Sequence, residues 1–235
     1  MAGNILSTDN NSDLIYKHSG FTTTISDSFS SPSNSSVGLG WDGTNVLSSD
    51  FGSDRIYKHT GFSSTITDSF SSPSNFPTAA QWDGTNTISA DNTAARIYKH
   101  SGFTSTVSDS FSSPSNGTVG AGWDGTNALS ADFSSQKIYK HSGFTSTVAD
   151  SFSSPSTFPY GVGWDTANVV SADNTVHRLY RHSGFSSTIS DSFSSPSTNA
   201  TGVADDGWSG SGGGGGGGVI FLGGKLTTNT KFWGM

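Results

Sequence analysis

One period constrains this chain more than any other feature. Tyr16, Tyr57, Tyr98, Tyr139 and Tyr180 follow one another at a constant spacing of 41 residues, without drift, in a chain of 235. Around each lies a near copy of Arg96-Ile97-Tyr98-Lys99-His100-Ser101-Gly102-Phe103. A fixed period in the range of about 20–50 residues signals a repeat architecture. Five copies account for nearly all of the sequence.

The second copy shows what one repeat can build. Residues 37–41 read as a short apolar strand, and Asp42-Gly43-Thr44-Asn45 as a tight turn, because Asp-Gly between apolar segments is a hairpin signal. Residues 46–50 give a second strand and 55–59 a third, rich in β-formers. Residues 63–70 give a fourth, which Pro73 ends because proline cannot donate to a ladder. All 18 acidic residues are Asp and none is Glu. Asp, Ser and Gly favour turns over helices. Four antiparallel strands in about 41 residues is the size of one β-propeller blade.

The two ends of the sequence test this reading. Asn4-Ile5-Leu6-Ser7-Thr8-Asp9 matches Asn45-Val46-Leu47-Ser48-Ser49-Asp50, so the first repeat begins at its second strand. Gly202-Val203-Ala204-Asp205-Asp206-Gly207 matches Gly38-Leu39-Gly40-Trp41-Asp42-Gly43, with Asp205 where the others have tryptophan. A spare first strand at one end and a missing one at the other is what a closed ring needs. The fold expected is therefore all-β: a five-bladed β-propeller of four-stranded blades over residues 1–208, closed by the C-terminal strand. Copies also alternate, with Asn10, Asn92 and Asn174 against Phe51 and Phe133 after the shared Asp. A Gly-rich linker follows over residues 209–218, then a short β tail over 219–235. The apolar residues Val219, Ile220, Phe221, Leu222, Phe232 and Trp233 are its expected docking surface for other protein subunits, a homo-oligomer included.

The repeat unit, Gly-Leu-Gly-Trp-Asp-Gly-Thr-Asn, then Arg/Lys-Ile-Tyr-Lys-His, then Asp-Ser-Phe-Ser-Ser-Pro, resembles the blades of bacterial and phage β-propellers of the NHL/YVTN-like kind. That resemblance covers residues 1–208 and implies a fold, not an activity. The Gly-rich tail is similar in composition to phage fibre and adhesin proteins, which implies a virion or extracellular location.

Charge and composition narrow the function. A net charge of −7, with the basic residues spread over the repeats, argues against nucleic acid. There is no cysteine, no signal-peptide pattern at the start, and no run of about 20 apolar residues to span a membrane. His18, His59, His100, His141 and His182 recur once per blade. They either pack between blades or line a ring able to bind a ligand or switch with pH. Trp41, Trp82, Trp123 and Trp164, with the repeated Phe and Tyr, are expected to form the inter-blade core, or else repeated pockets for glycans. Asp-Gly-Thr-Asn supplies too few ligands for a calcium loop, so no metal and no cofactor is expected.

Near-identical blades give near-identical carboxylate environments, whereas acid–base chemistry needs unlike ones. With no catalytic residue assigned, the expectation is a non-enzymatic structural or binding module, such as a phage virion appendage or adhesin component. A glycan-binding lectin is the alternative, and a glycosidase-like enzyme the remote one. Asp13, Asp54 and Asp205 are the acids outside the repeated sets, and Asp205, where other copies carry tryptophan, is the best candidate for a catalytic reading.

Overall fold

A computed structural model describes residues 3–207, and these form five four-stranded antiparallel sheets arranged as blades of a β-propeller. The first blade holds β1 (Ile5–Asp9), β2 (Leu14–His18) and β3 (Ile25–Ser30). The second holds β4 (Ser36–Trp41), β5 (Val46–Asp50), β6 (Arg55–His59) and β7 (Ile66–Ser71). The third holds β8 (Pro77–Trp82), β9 (Thr87–Asp91), β10 (Arg96–His100) and β11 (Val107–Ser112). The fourth holds β12 (Thr118–Trp123), β13 (Ala128–Asp132), β14 (Lys137–His141) and β15 (Val148–Ser153). The fifth holds β16 (Pro159–Trp164), β17 (Val169–Asp173), β18 (Arg178–His182) and β19 (Ile189–Ser194). The last strand, β20 (Ala200–Asp205), pairs antiparallel with β1 and completes the first blade, with Ile5 opposite Asp205 and Ser7 opposite Val203.

Burial falls from the axis outward. The second strand of every blade is buried along its whole length, while the fourth presents most of its residues to solvent. Apolar cores lie between blades, not within them. Leu6, Ile15 and Ala204 of the first blade pack with Leu39 and Val46 of the second, and Ile5 and Val203 with Val170 and Leu179 of the fifth. Each blade is thin, so a single one cannot bury its faces.

The fourth strand starts later than the sequence pattern suggests. In the second blade it begins at Ile66, because residues 60–65 form a longer turn: Gly61 takes φ 58°, the Ser63 hydroxyl donates to the Thr60 carbonyl, and Thr60 N–H bonds Thr65 O at 2.8 Å. Ser and Thr side chains that bond local backbone compete with ladder pairing.

Candidate functional site

The axis is closed. An added Cβ at Gly38 would stand 2.5 Å from Ala79 Cα, at Gly40 2.1 Å from Ala80 O, and at Gly161 2.5 Å from Thr201 O. Inner strands therefore meet backbone to backbone, and glycine is the residue that allows it. Where Gly40, Gly122, Gly163 and Ala204 stand in the other blades, the third carries Gln81. Its amide crosses the centre and donates to Leu39 O at 2.6 Å and Val203 O at 3.2 Å. The remaining space has room for about one water. No carboxylate lines it.

The five repeated histidines sit in the seams between blades, at 0% exposure. Each Nε2 is 2.9–3.0 Å from a serine hydroxyl of the neighbouring strand: Ser7, Ser48, Ser89, Ser130 or Ser171. Each Nδ1 faces the backbone four residues on without closing a full hydrogen bond. Each ring leans on a phenylalanine of the preceding blade at 4.8–5.1 Å, as His59 does on Phe29, and the same Phe meets Phe62 edge-on. Burial pushes each imidazole down from 6.5 to about 4. These rings are neutral packing elements with no solvent face.

On the face where the inner strands end, a second ring repeats. Lys58 pairs with Asp42 of its own blade at 2.7 Å and lies over Phe103 of the next. Lys17, Lys99, Lys140 and Arg181 do the same with Asp206, Asp83, Asp124 and Asp165. Burial alone would raise the Asp42 carboxyl, but Lys58 and the Asn45 and Thr44 donors outweigh it and hold it below the usual carboxylate range. Trp41, Trp82, Trp123 and Trp164 are half-buried at this rim, Trp82 and Trp123 beneath Lys58 and Lys99. On the opposite face Asp9, Asp50, Asp91, Asp132 and Asp173 are buried and cap the second turn of each blade, as Asp50 does for Ser53 N–H at 2.8 Å. The second set of carboxylates thus shapes turns.

One corner departs from the fivefold pattern at several positions. Between the fifth and first blades, Asp205 replaces the tryptophan, Arg181 replaces the lysine, and Asp165-Thr166-Ala167-Asn168 replaces Asp-Gly-Thr-Asn. Thr166 takes φ 83° where Gly43, Gly84 and Gly125 take 97–100°. A β-branched residue in that region is strained, and such strain concentrates at sites with a role. Arg181 Nε lies 2.6 Å from Asp165 Oδ2, its guanidinium covers Phe21 at 4.5 Å, and its Nη2 is buried without a hydrogen-bond partner among the described residues. Asp205 is 2% exposed. Its Oδ1 accepts from Gly207 N–H at 2.7 Å, and its Oδ2 has no partner among the described residues. Burial pushes this carboxyl up to about 6; Asp165 and Asp206 add to the rise, and the Gly207 amide and Arg181 oppose it.

Of the residues singled out from sequence, Asp205 is thus the one placed in an environment unlike its repeats. Arg181, Thr166 and Gln81 were missed, although each was visible as a break in the 41-residue pattern. Val219, Ile220, Phe221, Leu222, Phe232 and Trp233 lie outside the described residues. Among the described residues no three His, Asp or Glu side chains converge as a metal site, and no helix is long and apolar enough to cross a membrane.

No family model and no curated protein matches the sequence. Solved structures do resemble it. One is a protein of unknown function from Bacteroides caccae, 14% identical over 83% of this chain and 73% of that one, with a TM-score of 0.53. Another is the glutaminyl cyclase of Myxococcus xanthus, 12% identical over 72% of this chain and 70% of that one, with a TM-score of 0.56. At such identity the likeness is one of fold, and the NHL/YVTN-like and phage resemblances rest on the sequence patterns alone. It nevertheless corrects the expectation that the chain is not an enzyme, since a chain of this architecture is one. The premise behind that expectation fails as well: Asp205 has an environment that no other carboxylate shares.

Proposed function

We propose that the chain is a structural or binding propeller, displayed as a component of a virion appendage or adhesin, with residues 219–235 as its attachment to other subunits. The observation that supports this reading is the fivefold repetition of the exterior. Ile25, Ile66, Val107, Val148 and Ile189 open the five outer strands at 38–43% exposure, in equivalent positions. Five equal weak contacts combine into avidity when the partner surface is itself repetitive, as cell-surface glycans are. The test is assembly: chain ending at residue 208 is left out of particles that incorporate the full chain. Equal incorporation of both ends the reading. A glycan array on the full chain, followed by calorimetric stoichiometry, decides whether sugars are the ligand.

A second reading follows from the Asp205 corner. A buried acid near neutral pKa beside a second carboxylate and a guanidinium is the composition of a general acid–base site. The glutaminyl cyclase likeness supplies the first substrate to try, peptides with an N-terminal glutamine. Turnover abolished in Asp205→Asn supports this reading, and no turnover by the wild type removes that substrate class.

A further inference from the structure

The Asp205 corner lies on the strand that closes the ring, and this placement carries a consequence beyond either reading. β20 is tied to the N-terminal segment by polar bonds as well as by the apolar cores that Ala200, Val203 and Ala204 share with Ile5, Leu6 and Ile15. Asp206 accepts from Asn4 N–H at 2.6 Å and from Asn4 Nδ2 at 3.1 Å, Asp206 N–H bonds Asn4 O at 3.0 Å, and Thr8 meets Thr201 at 3.0 Å. Where the other inner strands end in an indole that adds apolar contact, this one ends in a carboxyl. Asp165 and Arg181 of the fifth blade face it. Asp206 on its own segment does too, already neutralised by Lys17 of β2 at 2.7 Å. His18 and His182 in the adjoining seams are buried and uncharged near neutral pH.

We infer that Asp205 is a protonation-controlled latch on the ring-closing strand. Neutral, its side chain leaves β20 seated between β1 and the fifth blade; ionised, it stands buried against Asp165 and Asp206 with one oxygen unpaired among the described residues, and the strand loosens. A carboxyl raised in the folded state, here from 3.8 to about 6, stabilises that state fully below 3.8. The contribution is lost as pH rises through about 6. The histidines have the opposite pH dependence, but they are common to the wild type and an Asp205 variant and cancel between them.

Hydrogen exchange of the β20 amides in the full chain tests the latch. Relative to the wild type, Asp205→Asn gains about tenfold more protection at pH 8 than at pH 5. An equal gain at both pH values, or none, overturns it. Carbon-detected titration of the wild-type Asp205 carboxyl keeps the test open should the variant not fold. A midpoint near 6, tracked by the β20 amide shifts, supports the latch. An ordinary carboxylate midpoint, or β20 amides that do not follow it, sinks it.

Discussion

The smallest residues and the most repeated ones set the tolerances of this molecule. At the axis, a methyl group on Gly40 would meet Ala80 O at 2.1 Å, whereas on Gly20 it would meet nothing within 4 Å. Gly20 is limited only by its φ of 65°. Gly40→Ala is therefore expected to cost more than about 3 kcal/mol in a denaturant melt, and Gly20→Ala about 1 kcal/mol. The seam histidines set the acid limit. Each is lowered from 6.5 to about 4, so each contributes stability that is present above 6.5 and lost as pH falls toward 4. A shift of that size is worth about 3 kcal/mol per ring. Five of them rival the roughly 5–15 kcal/mol that holds a typical domain together. Cooperative acid unfolding between pH 6 and 4 is expected, followed by circular dichroism. His100→Gln should flatten the pH slope by about a fifth while costing stability at pH 8 through the lost Ser89 contact. A variant with an unchanged slope would show that these rings do not control it.

At the scale of the strand, the outer edges are the exposed feature. Among the described residues each fourth strand lacks a partner on one side, and an unpaired edge invites pairing with another chain. In every blade an aspartate of that strand turns back on the next serine amide: Asp27 on Ser28, Asp68 on Ser69, Asp109 on Ser110, Asp150 on Ser151 and Asp191 on Ser192, at 2.7–2.8 Å. The free N–H is thereby occupied and a charge set on the edge. Replacing all five by threonine is expected to leave the blades folded and shift the protein to higher oligomers in analytical ultracentrifugation. A variant that sediments like the wild type would remove this role. Gln81 acts across strands. It ties β8 to β4 and β20 through two carbonyls. Gln81→Ala, which strands both, should cost about 1–3 kcal/mol in a melt.

The whole molecule depends on closing its ring. β20 supplies Ala200 and Val203 to one inter-blade core and Ala204 to the next. Chain ending at residue 199 leaves two cores and the β1 edge open together. It is expected to lose the cooperative transition and to aggregate, which scanning calorimetry and light scattering would read. A sharp melt from such a chain would mean that the closing strand is dispensable.

Much of this was written in the sequence. The spacing of Tyr16 to Tyr180 implied five blades, and the match of residues 202–207 to 38–43 gave both the ring closure and its register, because a repeat defines its own frame. The sequence also marked Asp205 as the odd member of a set. It did not reveal what that oddness meets. Arg181 and Asp165 approach Asp205 across a junction between blades, and Gln81 reaches Val203 across the axis, 122 positions away. Periodicity specifies what each blade contains. How blades face one another depends on twist, on the close approach of Gly38, Gly40 and Gly161, and on which side chain fills a centre with room for only one. These are properties of packing, so only the tertiary structure decided that the histidines are dry, that the axis is shut, and that the one unusual acid sits on the strand that closes the ring.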